Sequence, residues 1–152
     1  VLPTPSGHAG MTLSPDIVTG RYSALAIDGY DPVSYFTGEA RQGTTGETAS
    51  WAGVVWRFAN RGDREAFLAS PETYAPAFGG HCATSLARDI RAEADPRLFV
   101  VHRGRVYLFH SREMREEFLA LPDLVAGRAR IAWQAMAPRA PAELTPAAPP
   151  TR

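Results

Sequence analysis

The sequence predicts a small single α+β domain, and three observations carry that reading. A segment of twenty residues, Gly53–Glu72, recurs without gaps as Gly104–Asp123 at an offset of 51, with ten identities. Within each copy the apolar pattern changes from a period of two to a helical one, as a β-hairpin followed by a helix does. The length, 152 residues, is that of one ordinary domain able to bury a core. The domain is expected over residues 22–137, with an N-terminal extended arm over 1–21 and a Pro/Ala-rich disordered tail over 138–152.

Taken in order, the arm mixes Pro, Gly, Ser and Thr and carries His8 and Met11, a spacing that weakly suggests copper. Tyr22–Ile27 reads as a strand or an extended packed segment. Asp31 before Pro32 reads as the cap of a helical turn that presses Val33, Tyr35 and Phe36 onto the core. Thr37–Thr48 is polar, contains three glycines, and reads as a loop. In each repeat a strand then enters a glycine turn, Ala52-Gly53 or Arg103-Gly104, where Gly supplies a positive φ. The second strand, Val54–Phe58 or Arg105–Phe109, places Trp56 and Phe58, or Tyr107 and Phe109, on one face. Asn60 or Ser111 caps the helix that follows. Phe67 and Leu68, or Phe118 and Leu119, turn inward, and Pro71 or Pro122 ends the helix. Two such units are expected to pair about a pseudo-twofold axis, sharing their aromatics as one core. Leu124–Met136 reads as a C-terminal helix carrying Ile131, Trp133 and Met136.

Sixteen basic residues, all arginine, balance sixteen acidic ones, which argues against a nucleic-acid footprint. No apolar run approaches the roughly 20 residues needed to span a bilayer. The lone cysteine excludes an intrachain disulfide. The start at Val1, without Met, reads as a mature N-terminus after signal-peptide removal, hence an exported or periplasmic protein.

The chemistry is expected in the stretch between the repeats, residues 73–97, which has no counterpart in the other copy. There Gly79-Gly80-His81-Cys82 reads as a flexible loop entering a helix, with Cys82 in the first helical turn, where a thiolate is favoured. Soft thiolate plus imidazole suits copper or zinc, with His102 and His110 as further candidate ligands and Glu93 and Asp95 behind them. Tyr74, Phe78, Trp56 and Tyr107 beside Gly79 and Gly80 are the candidate lining of a small-ligand pocket. A thiol-based enzyme using Cys82 is the less favoured alternative: no second cysteine can resolve an intermediate, and no phosphate loop, dinucleotide fingerprint or nucleophile elbow is present. A purely structural interaction module is the other. The balance falls on a non-catalytic protein whose partner is a metal ion, a small ligand or another protein, with no nucleic acid and no membrane span.

Several stretches together resemble the YHS-domain family of small bacterial proteins. They are Asp28 to Phe36, Trp56-Arg57-Phe58, Phe67 to Pro76, Gly79-Gly80-His81-Cys82-Ala83 and Gly104 to Phe109. The resemblance covers roughly residues 25–135. It implies a small α+β domain, and in stand-alone members frequent export. Other branches are associated with heavy-metal binding through several cysteines, of which only Cys82 is present here. A tyrosine usually stands in the family where this chain has His81.

Overall fold

Two tight turns organise the chain. Ala52 and Arg103 adopt left-handed backbone (φ 56° and 51°) and are followed by Gly53 and Gly104 at φ 81° and 77°. Two successive positive φ values make the turn whose twist matches paired antiparallel strands. In the computed structural model, which describes residues 17–20 and 24–136, these turns close two hairpins. β1 (Thr44–Trp51) pairs with β2 (Val54–Phe58), and β3 (Asp95–His102) pairs with β4 (Arg105–Phe109). The registers correspond at the offset of 51: Trp51 faces Val54 and His102 faces Arg105, with an irregularity between Thr44 and Thr48 and again between Asp95 and Phe99. Residues 44–48, expected in a loop, therefore belong to β1: the bulge accommodates their polar, glycine-containing stretch on a sheet edge.

Each hairpin leads into a nine-residue helix, α1 (Arg61–Ala69) or α4 (Arg112–Ala120). Asn60 Oδ1 accepts the Asp63 N–H at 2.8 Å and Ser111 Oγ accepts the Met114 N–H at 3.2 Å, so both expected caps are in place. Pro71 and Pro122 each open a further helix, α2 (Pro71–Tyr74) and α5 (Pro122–Met136), because a missing N–H costs nothing at a first helical position. Between the repeats lies α3 (Ala83–Ala87). No helix among the described residues is long and apolar enough to cross a membrane.

The aromatic packing repeats as well. Phe67 meets Trp51, Trp56 and Phe58 at ring distances of 5.7, 5.0 and 5.1 Å. Phe118 meets His102, Tyr107 and Phe109 at 6.0, 4.9 and 5.1 Å. The two sets do not merge into one shared core, contrary to expectation. Trp56, Phe58 and Phe67 lie in one cluster with Val106 and Leu108, while Phe109 and Phe118 lie in a second with Cys82 and Ala83. Strand β4 separates them, giving alternate side chains to each, so both of its faces are apolar. Leu68 and Leu119, expected to face inward, are 45% and 48% exposed, because a step of about 100° turns them away from the face that Phe67 and Phe118 bury. The buried stripe of α5 is likewise made of Ala126, Ala129 and Ala132 rather than of Ile131, which is exposed.

Asp31 is not the N-cap of the turn, which is Val33, but its carboxyl holds the entry to it and does more. It is fully buried; Oδ1 accepts the Val33 N–H at 2.8 Å and Oδ2 accepts the Ala59 N–H at 2.8 Å. One carboxyl thus ties a single 3-10 turn, Ser34–Thr37, to the end of β2. Residues 17–20, from the expected arm, are held against the domain: the Val18 N–H donates to the Gly79 carbonyl at 2.7 Å and the Ile27 N–H to the Val18 carbonyl at 2.8 Å. The expected tail and the pair His8 and Met11 lie outside the described residues.

Candidate functional site

The loop at Gly79–Cys82 is fixed on three sides. His81 pairs with Glu93, Cys82 with Leu108 of β4, and the Cys82 N–H donates to the Ala92 carbonyl at 2.8 Å. Backbone pairing on both flanks leaves little freedom to a stretch whose two glycines suggested flexibility. The backbone is left-handed at three successive residues, Phe78, Gly79 and Gly80 (φ 61°, 63° and 88°). A second run of three, Ile27, Asp28 and Gly29 (φ 41°, 55° and 81°), packs against it. A Cβ added at Gly80 would lie 2.9 Å from Ile27 Cγ2, so only glycine allows this approach. A β-branched residue at positive φ is a rare and strained conformation.

Between the two runs is a cleft of about 110 Å³, lined by apolar Val18, Ile27 and Leu108 and by Thr19, Asp28 and Glu93, with Gly20, Gly80, Ala94 and Pro96 completing it. Gly80 and Glu93 among the lining residues stood out in the sequence, but the wall formed by Val18, Ile27 and Asp28 did not. The Asp28-Gly29 dipeptide is a turn signal, whereas nothing in sequence marks an isoleucine for positive φ.

The candidate site residues distribute as follows. Cys82 is the N-cap of α3 rather than a residue of its first turn, and its Sγ accepts the Ser85 N–H at 3.5 Å. It is completely buried in the second apolar cluster. His81 is buried; its Nδ1 lies 2.9 Å from the Phe78 carbonyl oxygen and its ring 5.4 Å from that of Trp133 on α5, over which Arg91 sits at 5.5 Å. His102 Nε2 contacts Asp123 Oδ1 at 2.8 Å, and its ring occupies the place on Phe118 that Trp51 occupies on Phe67. Arg103 binds the same carboxylate, and the hydrogen bonds from Arg103 first and His102 second pull the Asp123 pKa down to about 2. His110 Nδ1 lies 3.0 Å from the Glu93 carbonyl oxygen, and Asp95 is held by Arg97, which lowers its pKa. Among the described residues no three His, Cys, Asp or Glu side chains gather as a metal site would require.

The aromatic candidates are packing residues. Trp56 is fully buried, with its Nε1 donating to the Trp51 carbonyl at 3.0 Å. Tyr74 meets Phe36 edge-on at 5.2 Å, and Phe78 lies 5.9 Å from Tyr107 and 6.2 Å from Trp133. None of the four lines the cleft; of the ligand-binding candidates, Gly80 does. No family model matches this chain, and no curated protein or solved structure matches it either.

A thiol enclosed in this way reacts only through opening of the surrounding structure. The folded protein is expected to react with a water-soluble disulfide reagent about a thousandfold or more slower than the protein in denaturant. Stopped-flow absorbance in both conditions measures the ratio, and equal rates would put Cys82 on the surface.

Proposed function

We propose that this chain is a non-catalytic binding domain of the YHS type, whose small ligand occupies the cleft beside the Gly79–Cys82 loop. The observation that carries the reading is the opposition of two left-handed triplets across a cavity. A non-glycine residue held in such backbone costs about 1–3 kcal/mol, and strain of this kind persists where the surroundings enforce it, often at ligand clamps. Three such residues, Ile27, Asp28 and Phe78, stand here beside Gly29, Gly79 and Gly80, and Ile27, Asp28 and Gly80 line the cleft. The lining suits a small molecule with an apolar body against Val18, Ile27 and Leu108 and a hydrogen-bonding or cationic end toward Thr19, Asp28 and Glu93.

The same geometry argues for a small ligand ahead of a metal ion. The Cys82 sulfur is enclosed in an apolar cluster, and the imidazoles of His81, His102 and His110 each contact an oxygen acceptor on a different part of the fold. Copper or zinc at this loop would need Cys82 and His81 to give up those arrangements together. Thiol catalysis would need access to the same enclosed sulfur. An exported or periplasmic location belongs to this proposal on the strength of the resemblance.

Screening of small fragments against the isotopically labelled chain tests it. The expected result is a set of saturable shifts confined to the amides of Val18, Ile27, Asp28, Gly80 and Leu108. Thr19→Phe, which places a ring at the cleft, is expected to abolish them without lowering the melting temperature. Shifts centred on other residues would overturn the assignment.

A further inference from the structure

The two repeats differ at a second cleft, and the difference is chemical. A cleft of about 450 Å³ opens at the end of β3 remote from its turn, lined by Asp95, Arg97, Leu98, Arg112 and Arg115. Their counterparts at the offset of 51 are Thr44, Gly46, Glu47, Arg61 and Arg64. In the first unit both arginines are engaged: Arg61 Nε donates to Glu65 Oε2 at 2.9 Å, and Arg64 Nε donates to the Thr48 carbonyl at 2.7 Å. In the second unit neither is. Among the described residues no acceptor receives a hydrogen bond from the guanidinium of Arg112 or Arg115, and Arg115 Nε is buried without a partner. Glu116, which stands where Glu65 does, is exposed on α4 and makes no ion pair with Arg112.

A buried donor without an acceptor is rare in folded proteins and destabilising. The first repeat shows that this scaffold is able to satisfy the same arginine. Asp95 does not neutralise the cleft, because Arg97 holds it through Nε and Nη2 at 3.0 and 2.7 Å. The cleft therefore presents two uncommitted guanidinium forks at the first turns of α4, where the helix field also favours an anion. We infer that Arg112 and Arg115 form a binding site for a small oxyanion, a phosphate or carboxylate group, which takes the acceptor role that the Thr48 carbonyl plays for Arg64. The site is independent of the ligand cleft: Glu93, Ala94 and Pro96 line that one, Asp95, Arg97 and Leu98 this one.

Calorimetric titration of the full chain at low ionic strength, with inorganic phosphate in one arm and malonate in the other, tests the inference. Saturable one-to-one binding of at least one of them is expected, and the arm that binds identifies the source of the oxyanion. Arg115→Met and Arg112→Gln should each weaken binding at least tenfold, while Arg64→Met leaves it unchanged. Without added anion, Arg115→Met should melt at or above the wild-type temperature, since it removes an unsatisfied donor, and Arg64→Met should melt below it. Failure of both anions to saturate, equal affinity of wild type and the two cleft variants, or a greater loss of melting temperature in Arg115→Met than in Arg64→Met would each overturn the site.

Discussion

Asp31→Ala is expected to lower the stability of the fold by up to about 6 kcal/mol, because it strands one buried and one half-buried backbone donor at no more than about 1–3 kcal/mol each. Those donors, the N–H groups of Val33 and Ala59, belong to segments far apart in sequence, so the loss also detaches the 3-10 turn from β2. Asp31→Asn keeps the volume but offers one acceptor for two donors, and should recover only part of the loss. Urea unfolding of the three proteins measures the effect, and a change below about 1 kcal/mol in Asp31→Ala would show that water replaces the carboxyl.

The same residue sets a pH dependence. Burial, then a hydrogen bond with Asp63, raises the Asp31 pKa to about 7, against the two backbone N–H groups that lower it. Arg41 also faces both carboxylates, but it is paired with Glu39. Above its ordinary value of 3.8 the unfolded chain has released a proton that the folded chain still holds. The stabilisation from this group is therefore complete below about pH 3.8 and is lost as pH rises through about 7. The contribution of this group to the urea midpoint should fall between about pH 4 and 7 and level off above, and Asp63→Asn should flatten that fall by removing the second carboxylate.

Phe67→Ala and Phe118→Ala are each expected to cost about 3–5 kcal/mol, since both rings are fully buried among three aromatic neighbours. The first variant should disturb the cluster of Trp56 and Phe58, and the second should expose the cluster that encloses Cys82. Phe118→Ala should therefore accelerate reaction of the thiol far more than Phe67→Ala of matched stability. Equal acceleration would mean that the two clusters open as one unit.

Local structure was legible in the sequence wherever one short segment decides it. The hairpin turns and the Asn60 and Ser111 caps rest on neighbours a few residues apart, whereas Pro71 and Pro122, read as helix ends, each also open a further helix. Tertiary choices were not. Period-two alternation in β4 marks two faces but cannot say that both are covered, so Tyr107 and Phe109 looked like partners of Trp56 when a strand separates them. Gly79-Gly80 promised flexibility, and the pairing of His81 with Glu93 and Cys82 with Leu108 removes it. Cys82 showed the same limit: the helix beside it was readable, but it is the N-cap and not a residue of the first turn, and its enclosure depends on Phe109 and Phe118, which come from the following repeat. The wall of the cleft at Ile27 depends on an unusual backbone that no residue type announces.

The claim that the cleft, and not the thiol, is the binding element is tested most directly by one comparison of affinities. A fragment that binds the wild-type chain is titrated into Cys82→Ala and Ala94→Leu, each checked for an unchanged fold by its amide spectrum. The account predicts that Cys82→Ala binds within a few-fold of wild type, whereas Ala94→Leu, which fills the cleft, loses binding at least tenfold. Loss of binding in Cys82→Ala with retention in Ala94→Leu would contradict it and return the site to the cysteine.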